Sequence, residues 1–278
     1  MEIVDAHVHF IDPSRPKSTG FPAAQDSHLV PAWMPHDLRA LAAPLGVRGA
    51  IAIENSSRYE DTQWLLELAD ADPFVAGVVG NLGAGSPGFD ARLARAAQHP
   101  RFLGVRVGTP WCPLDVQNPQ LIADLQALAA AGLALDVVTV GGGGVPLLET
   151  VLTLNERFPA LRIVVDHLPF GVADADRERY GRALRDLAPR SNVYAKISNV
   201  LPRSGPIPSD PVAYRPMLDE LVAAFGPDRV IYASNWPVST RVAPYDRAFT
   251  IVREYFAARE PELAAKFFAT NARAAYRP

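Results

Sequence analysis

Short apolar runs rich in Val, Ile and Leu recur along the chain, with amphipathic stretches between them. Eight runs stand out, over residues 3–9, 47–55, 74–82, 102–109, 133–140, 162–169, 193–200 and 230–238. Helical spacing of apolar positions marks residues 62–71, 89–98, 120–131, 147–158 and 219–224 between them. A strand wetted on one face alternates in polarity, whereas these runs are nearly continuous. They therefore predict parallel strands buried on both faces. Eight such units in 278 residues fit an α/β fold that closes into a single (β/α)8 TIM barrel, a form that takes about 250 residues. The expected domain is one, spanning 1–278. An open doubly wound sheet is the runner-up, but the Gly-rich turn it needs after the first strand is replaced by His7-Val8-His9-Phe10. The proline-rich segments 12–44 and 202–216 exceed a simple connection and are expected to be functional loops over the barrel mouth.

In such barrels, chemistry gathers where strands end at their C-terminal side. The first run ends Asp5-Ala6-His7-Val8-His9, and residues two apart share a face, so both imidazoles point the same way. The sixth ends Val165-Asp166-His167 and the eighth Ala233-Ser234-Asn235-Trp236-Pro237. Arg106 lies in the fourth, Asp136 in the fifth, and Lys196 followed by Ser198 in the seventh. Unpaired polar groups in buried strands cost several kcal/mol, so this concentration points to a site. Lys196 has a second reading, as scaffolding salt-bridged to Asp166 or Asp136. The glycines at 141–144 are read as a mobile turn more readily than as an anion cradle, and His28, His36 and His99 as solvated surface histidines.

Charge removes whole classes of partner. With 27 basic and 30 acidic side chains, net −3, the chain has no basic field for nucleic acid. Cys112 is the only cysteine, so no intrachain disulfide forms, which fits a reducing compartment. The acidic start Met1-Glu2-Ile3-Val4-Asp5 lacks the signature of a secretory leader, and no apolar run approaches the roughly 20 residues that span a bilayer. A cytoplasmic protein without membrane partners is expected, with homo-oligomers allowed.

Val4-Asp5-Ala6-His7-Val8-His9-Phe10 resembles the opening motif of the amidohydrolase superfamily. Gly104-Val105-Arg106, Val164-Val165-Asp166-His167-Leu168-Pro169 and Ile231-Tyr232-Ala233-Ser234-Asn235-Trp236-Pro237-Val238 are similar to the branch that holds 2-pyrone-4,6-dicarboxylate lactonase and the sugar-acid lactonases. Val193-Tyr194-Ala195-Lys196-Ile197-Ser198 and the ending Ala269-Thr270-Asn271-Ala272-Arg273 extend the likeness over the whole chain. The resemblance implies a hydrolase of carbohydrate-acid metabolism that opens a small anionic lactone. His7, His9, His167, Asp136 and Asn235 are the expected catalytic residues, and Arg106, Lys196, Ser198 and Trp236 the substrate-binding ones.

One position departs from the pattern. Family hydrolases usually carry Asp where this chain has Asn235, and that Asp takes the proton from the attacking water. A carboxamide is not basic near neutral pH, so Asn235 can orient a hydroxyl but cannot deprotonate it. Asp136 or a histidine is then the expected base. The resemblance also brings an alternative, since a lactone isomerase of the same branch carries Asn here. In that reaction Asn235 would hold a substrate hydroxyl that attacks the carbonyl, and Asp136 would collect its proton. Without the carboxylate a metal loses its anionic ligand, so no cofactor is expected; a single Zn²⁺, if present, would sit on His7, His9 and His167. A metal-dependent decarboxylase and a catalytically inactive sugar-acid-binding barrel rank lower.

Overall fold

The structure, a computed structural model, describes residues 2–16, 26–29, 31–138, 144–168, 174–202 and 205–276. Strands β1 (Ile3–Val8), β2 (Val47–Ile53), β3 (Val75–Gly80), β4 (Phe102–Val107), β5 (Ala134–Val137), β6 (Arg162–Val165), β7 (Val193–Ile197) and β8 (Val230–Tyr232) form one sheet in sequence order. Every neighbouring pair is parallel. At the mouth β1 closes onto the end of β8: the His9 N–H donates to the Trp236 carbonyl at 2.7 Å and the Asn235 N–H to the His7 carbonyl at 2.9 Å. The expected barrel is therefore the observed one.

Helices α1 (Pro35–Ala42), α2 (Tyr59–Ala71), α3 (Phe89–Ala96), α4 (Pro119–Ala130), α5 (Gly144–Arg157), α6 (Arg177–Leu187), α7 (Arg215–Phe225) and α8 (Tyr245–Ala257) connect the strands or follow β8. Local chemistry fixes where they start. In α4, Pro119 takes the first helical position and the Asn118 carboxamide accepts from Gln120 and Leu121 N–H, capping two otherwise unpaired donors. Two expectations about loops change for the same reason. Pro35 opens α1 inside the segment 12–44, and a short turn, Pro211–Tyr214, leads into α7 inside 202–216. Proline is tolerated in a first turn, where its missing N–H is not needed. Of the described part of the first segment, Trp33 reaches the end of β8: it bridges Ile11, and its ring packs edge-on against Trp236 at 5.4 Å. No helix among the described residues is long and apolar enough to cross a membrane.

Several strands stop sooner than the apolar runs suggested. His167, Asn199 and Asn235 have φ of 49°, 53° and 60°, a left-handed conformation that an extended strand cannot contain. These residues follow β6, β7 and β8, so each run is cut just where its polar residues begin. The fifth run's end and glycines 141–143 lie outside the described residues.

Inside the barrel, Val4, Ala6, Ile51, Ile53, Val79, Leu103, Ala134, Val164, Tyr194 and Ile231 form one apolar cluster with every strand represented. The closing segment, α9 (Pro261–Ala265), a π turn and α10 (Asn271–Tyr276), adds Ala269, Ala272, Ala275 and Tyr276 to it. Two positions along the strands from Ala134, Val164 and Tyr194 stand Asp136, Asp166 and Lys196. Strand periodicity thus stacks a charged layer directly on the apolar one. Gly104 lets β4 approach β5 there: a Cβ on it would fall 2.2 Å from the Ala134 carbonyl oxygen, and the register then sets Arg106 opposite Asp136.

From the C-terminal helix, Tyr276 donates its hydroxyl to Asp136, at 2.9 and 3.0 Å from the two carboxylate oxygens. Burial first, and Asp166 next to it, push the Asp136 carboxyl up to about 7 from 3.8, with Lys196 opposing. Because the folded value exceeds the unfolded one, Asp136's contribution to stability is intact below about pH 4. It is lost as pH rises through about 7. A hydroxyl that donates to the anion limits that loss. Tyr276→Phe should therefore cost about 1–3 kcal/mol above pH 7 and less near pH 5. Urea denaturation at pH 5 and pH 8 reads the difference; an equal cost at both would remove Asp136 from the explanation.

Candidate active site

The charged layer is organised by one ammonium. Lys196 Nζ lies 2.5 Å from Asp136 Oδ2, 2.8 Å from Asp166 Oδ1 and 3.3 Å from His7 Nδ1, with all four side chains buried. Three N–H donors thus meet three acceptors. Burial works to raise the Asp166 carboxyl, but Lys196 above all holds it well below the usual carboxylate range.

Hydrogen bonding assigns the protons of the two histidines on β1. His9 Nδ1 is 2.9 Å from the Ile53 carbonyl oxygen, which can only accept, so Nδ1 carries hydrogen. Burial, and then the neighbouring Arg106 guanidinium, lower His9 to about 3, so the ring is neutral and Nε2 keeps its lone pair. His7 Nε2 lies 3.1 Å from that lone pair and must carry hydrogen. Burial above all keeps His7 neutral as well, leaving Nδ1 as the acceptor that faces Lys196. His7 Nδ1 and Asp166 Oδ1, 3.3 Å apart, are then two acceptors sharing one ammonium rather than an ion pair. A single proton order runs from Lys196 through His7 and His9 to the Ile53 carbonyl.

Arg106 is held by a residue that the sequence reading passed over. Its Nε donates to Glu54 Oε1 at 2.8 Å and its Nη2 to the Glu54 backbone oxygen at 2.5 Å. Glu54 Oε2 in turn accepts from Trp111 Nε1 at 3.0 Å and from the Ser56 N–H at 3.1 Å. The remaining nitrogen, Nη1, stands 3.8 Å from Asp166 Oδ2. The signal was available: Ile51-Ala52-Ile53-Glu54 ends an apolar run on an acid just as the sixth run does.

The left-handed residues complete the site. His167, half-buried, has Nδ1 2.6 Å from Ser198 Oγ, and its ring centroid lies 4.4 Å from that of His7. Asn235 Nδ2 donates to Asn199 Oδ1 at 3.0 Å. His7, His9, His167, Ser198 and Asn235 therefore gather at one end of the barrel, with Arg106 beside them.

Other expected residues stand elsewhere. Asp136 and Lys196 are fully buried and engaged with each other and with Asp166, His7 and Tyr276. Trp236 is fully buried among Phe10 and Trp33 in the outer core, so it packs and does not line the site. His28 is half-buried rather than solvated, with Nε2 2.8 Å from Thr240 Oγ1. His36 is exposed, and His99 pairs with Asp70 at 3.2 Å.

A metal ion is the family's obvious addition, and the donors can be tested against one. The Nε2 atoms of His7 and His9 are 3.1 Å apart, near the spacing of two nitrogens on one tetrahedral ion. Among the described residues, however, no three His, Cys, Asp or Glu side chains are arranged to hold a metal. Asn235 offers a neutral amide where a carboxylate would balance the charge, and two cations, Lys196 and Arg106, already border the pair. The set does not fit a complete metal site.

A family model described as Amidohydrolase matches residues 4–277. L-fucono-1,5-lactonase of Burkholderia ambifaria is 31% identical over 239 residues, 85% of this chain and 80% of that protein. Among solved structures, an amidohydrolase from Burkholderia multivorans with bound zinc superposes with a TM-score of 0.85 at 24% identity, 99% of each chain being covered. A probable 2-pyrone-4,6-dicarboxylic acid hydrolase from Acinetobacter baumannii, with citric acid bound, gives a TM-score of 0.75 at 16% identity, again over 99% of each. At those identities the two structures speak to the fold alone.

The Glu54–Arg106 pair generates a direct test. Removing one member of a buried ion pair leaves the other uncompensated, at about 3–5 kcal/mol. Glu54→Ala should lose about that much stability, and Glu54→Gln clearly less, because its amide oxygen still accepts from Arg106. Chemical denaturation of both variants measures it; equal, small losses would mean that Arg106 is held by other contacts.

Proposed function

The chain belongs to the amidohydrolase family, and from that premise we propose that it is a lactonase-type hydrolase that opens the ring ester of a small sugar-acid lactone. The reading is carried by the neutral His7–His9 pair set beside the Arg106 cation, with half-buried His167 over it. Such a site sets one guanidinium nitrogen and a base beside the carbonyl, while the nearby carboxylates Asp166 and Glu54 are taken up by Lys196 and Arg106. A tetrahedral oxyanion is what it would stabilise best. The 31% identity to a named L-fucono-1,5-lactonase supports the same substrate class. Arg106 was expected to grip a substrate carboxylate, but Glu54 occupies its fork, so a hydroxylated lactone without a second carboxylate suffices.

The steps follow from the atoms. His167 Nδ1 lies 2.6 Å from Ser198 Oγ, and in this mechanism it carries the hydrogen and donates to that oxygen, so that Nε2 is the base. Water attacks the lactone carbonyl carbon and gives its proton to Nε2. The carbonyl oxygen becomes an oxyanion facing Arg106 Nη1, the guanidinium nitrogen that Glu54 does not engage. Collapse breaks the bond to the ring oxygen, which leaves with the proton from His167, and the product is an open hydroxy acid. No step uses Asn235 as a base. A second reading, lactone isomerisation, is favoured by Asn235 itself, whose Oδ1 is buried without a hydrogen-bond partner among the described residues. There a substrate hydroxyl replaces water, Asn235 holds it, and His167 takes the role first expected of Asp136.

We expect purified protein to open sugar-acid lactones and to retain that activity after chelation, because the donor set lacks a third ligand and a compensating charge. His167→Asn tolerates the left-handed backbone and should lower kcat by about 10²–10⁴-fold with little change in KM. Lactone opening followed by pH indicator, with and without chelator, checks both. Stoichiometric zinc with activity lost on its removal would return the enzyme to the metal-dependent members, and an unchanged kcat in His167→Asn would reassign the base.

A further inference from the structure

Two carboxamides at the mouth leave one donor and one acceptor unused. Asn235 Nδ2 donates to Asn199 Oδ1 at 3.0 Å, while Asn235 Oδ1 and Asn199 Nδ2 are both buried and without a hydrogen-bond partner among the described residues. Turning both amides over exchanges the roles and again strands one N–H and one carbonyl oxygen. Asn235 is only 3% exposed. Native proteins satisfy nearly all such groups, so an unused donor and an unused acceptor on two hydrogen-bonded residues point to a ligand that can supply both. Both residues also hold left-handed backbones, φ 53° and 60°, which points their two side chains together from the ends of adjacent strands.

The chemistry of the gap selects its ligand. A carboxylate could only accept, an ammonium could only donate, and either would leave one group unpaired. A hydroxyl does both through one oxygen. A cavity of about 220 Å³, far above the roughly 10–15 Å³ that admits one water, reaches Asn199 with Ser198, Ser234, Ser239 and Arg241 among apolar side chains such as Ile197, Leu201 and Val242; Asn235 borders it only through its bond to Asn199. We propose that Asn199 and Asn235 form a clamp for one hydroxyl of the substrate, and that Asn199 is a specificity-determining residue that makes the site select polyhydroxylated ligands. This rests on the lactonase reading for its substrate class, and it holds for either the hydrolytic or the isomerising reaction.

The test separates the two ideas by measuring binding apart from turnover. A set of aldonates, the open forms of sugar-acid lactones, is titrated calorimetrically alongside its mono-deoxy analogues. Wild-type protein should bind the parent more tightly than one particular deoxy analogue by on the order of 10²-fold. Asn199→Asp keeps the shape and the tolerance for a left-handed backbone but removes the donor; Asn199→Gly removes the side chain altogether. Both should erase most of that difference by weakening the parent while leaving the deoxy analogue's affinity unchanged. A structural role would weaken both ligands alike. Equal weakening, or a wild type that binds every deoxy analogue as well as the parent, overturns the clamp. Discrimination in binding without any lactone opening would retain the clamp and overturn the lactonase reading instead.

Discussion

Lys196 holds its ammonium between two carboxylates and an imidazole where no solvent reaches, and the site above depends on that arrangement. Buried charges are costly unless every donor and acceptor is used, and a pair stripped of its partner costs several kcal/mol. Here the three ammonium hydrogens are spent on Asp136, Asp166 and His7, and Tyr276 supplies a further donor to Asp136. The result fixes His7 in one tautomer. That tautomer fixes His9, and the Ile53 carbonyl fixes the far end. A neutral pair of imidazoles in a known orientation is thus inherited from a salt bridge one layer deeper. The C-terminal helix is part of the same device, since Tyr276 belongs to it.

Much of this was legible in the residues. Eight continuous apolar runs gave eight parallel strands; the rule that residues two apart share a face paired His7 with His9, and the placing of chemistry at strand ends brought in His167, Ser198 and Asn235. Depth was not legible. Periodicity tells which face Asp136 and Lys196 occupy but not how far along the barrel axis they sit, so both looked like candidates for substrate contact. Their partner Tyr276 is 140 residues from Asp136 in sequence, and no local pattern announces such a contact. Trp236 misled for a related reason: beside Asn235 in the chain, it faces the outer core across a reversed backbone. Glu54 was a simple omission, since the same strand-end logic applied to it.

The Glu54–Arg106 pair changes the electrostatics that a count of charges would suggest. Arg106 looks like a free cation in a strand, yet two of its three nitrogens are engaged by one residue. Its field still reaches His9, whose basicity it depresses after burial has done most of the work. The pair therefore keeps the guanidinium in a fixed plane with one nitrogen, Nη1, not engaged by Glu54. Rigid, oriented donors that need not reorganise are the arrangement that stabilises developing negative charge most effectively.

The left-handed residues tie the end of the fold to the start of the chemistry. A continuing strand would alternate its side chains between the two faces of the sheet, so their directions at residues 167, 199 and 235 would be set by position along each strand alone. Switching each backbone to positive φ breaks the ladder there and redirects the side chain, at a cost that Asn bears well and His less well. Such costs persist where surrounding structure over-determines them. At Asn235 that structure is the bond from its N–H to the His7 carbonyl, which also helps close the barrel. Closure and strain share one residue. The substitution of a carboxylate by Asn at that residue therefore leaves the backbone geometry intact while changing only what the side chain can do: it can no longer take a proton, but it can present one donor and one acceptor at a fixed place. On the proposed reading, specificity for a hydroxyl is gained at the position where basicity is given up, and the imidazole of His167 takes the proton instead.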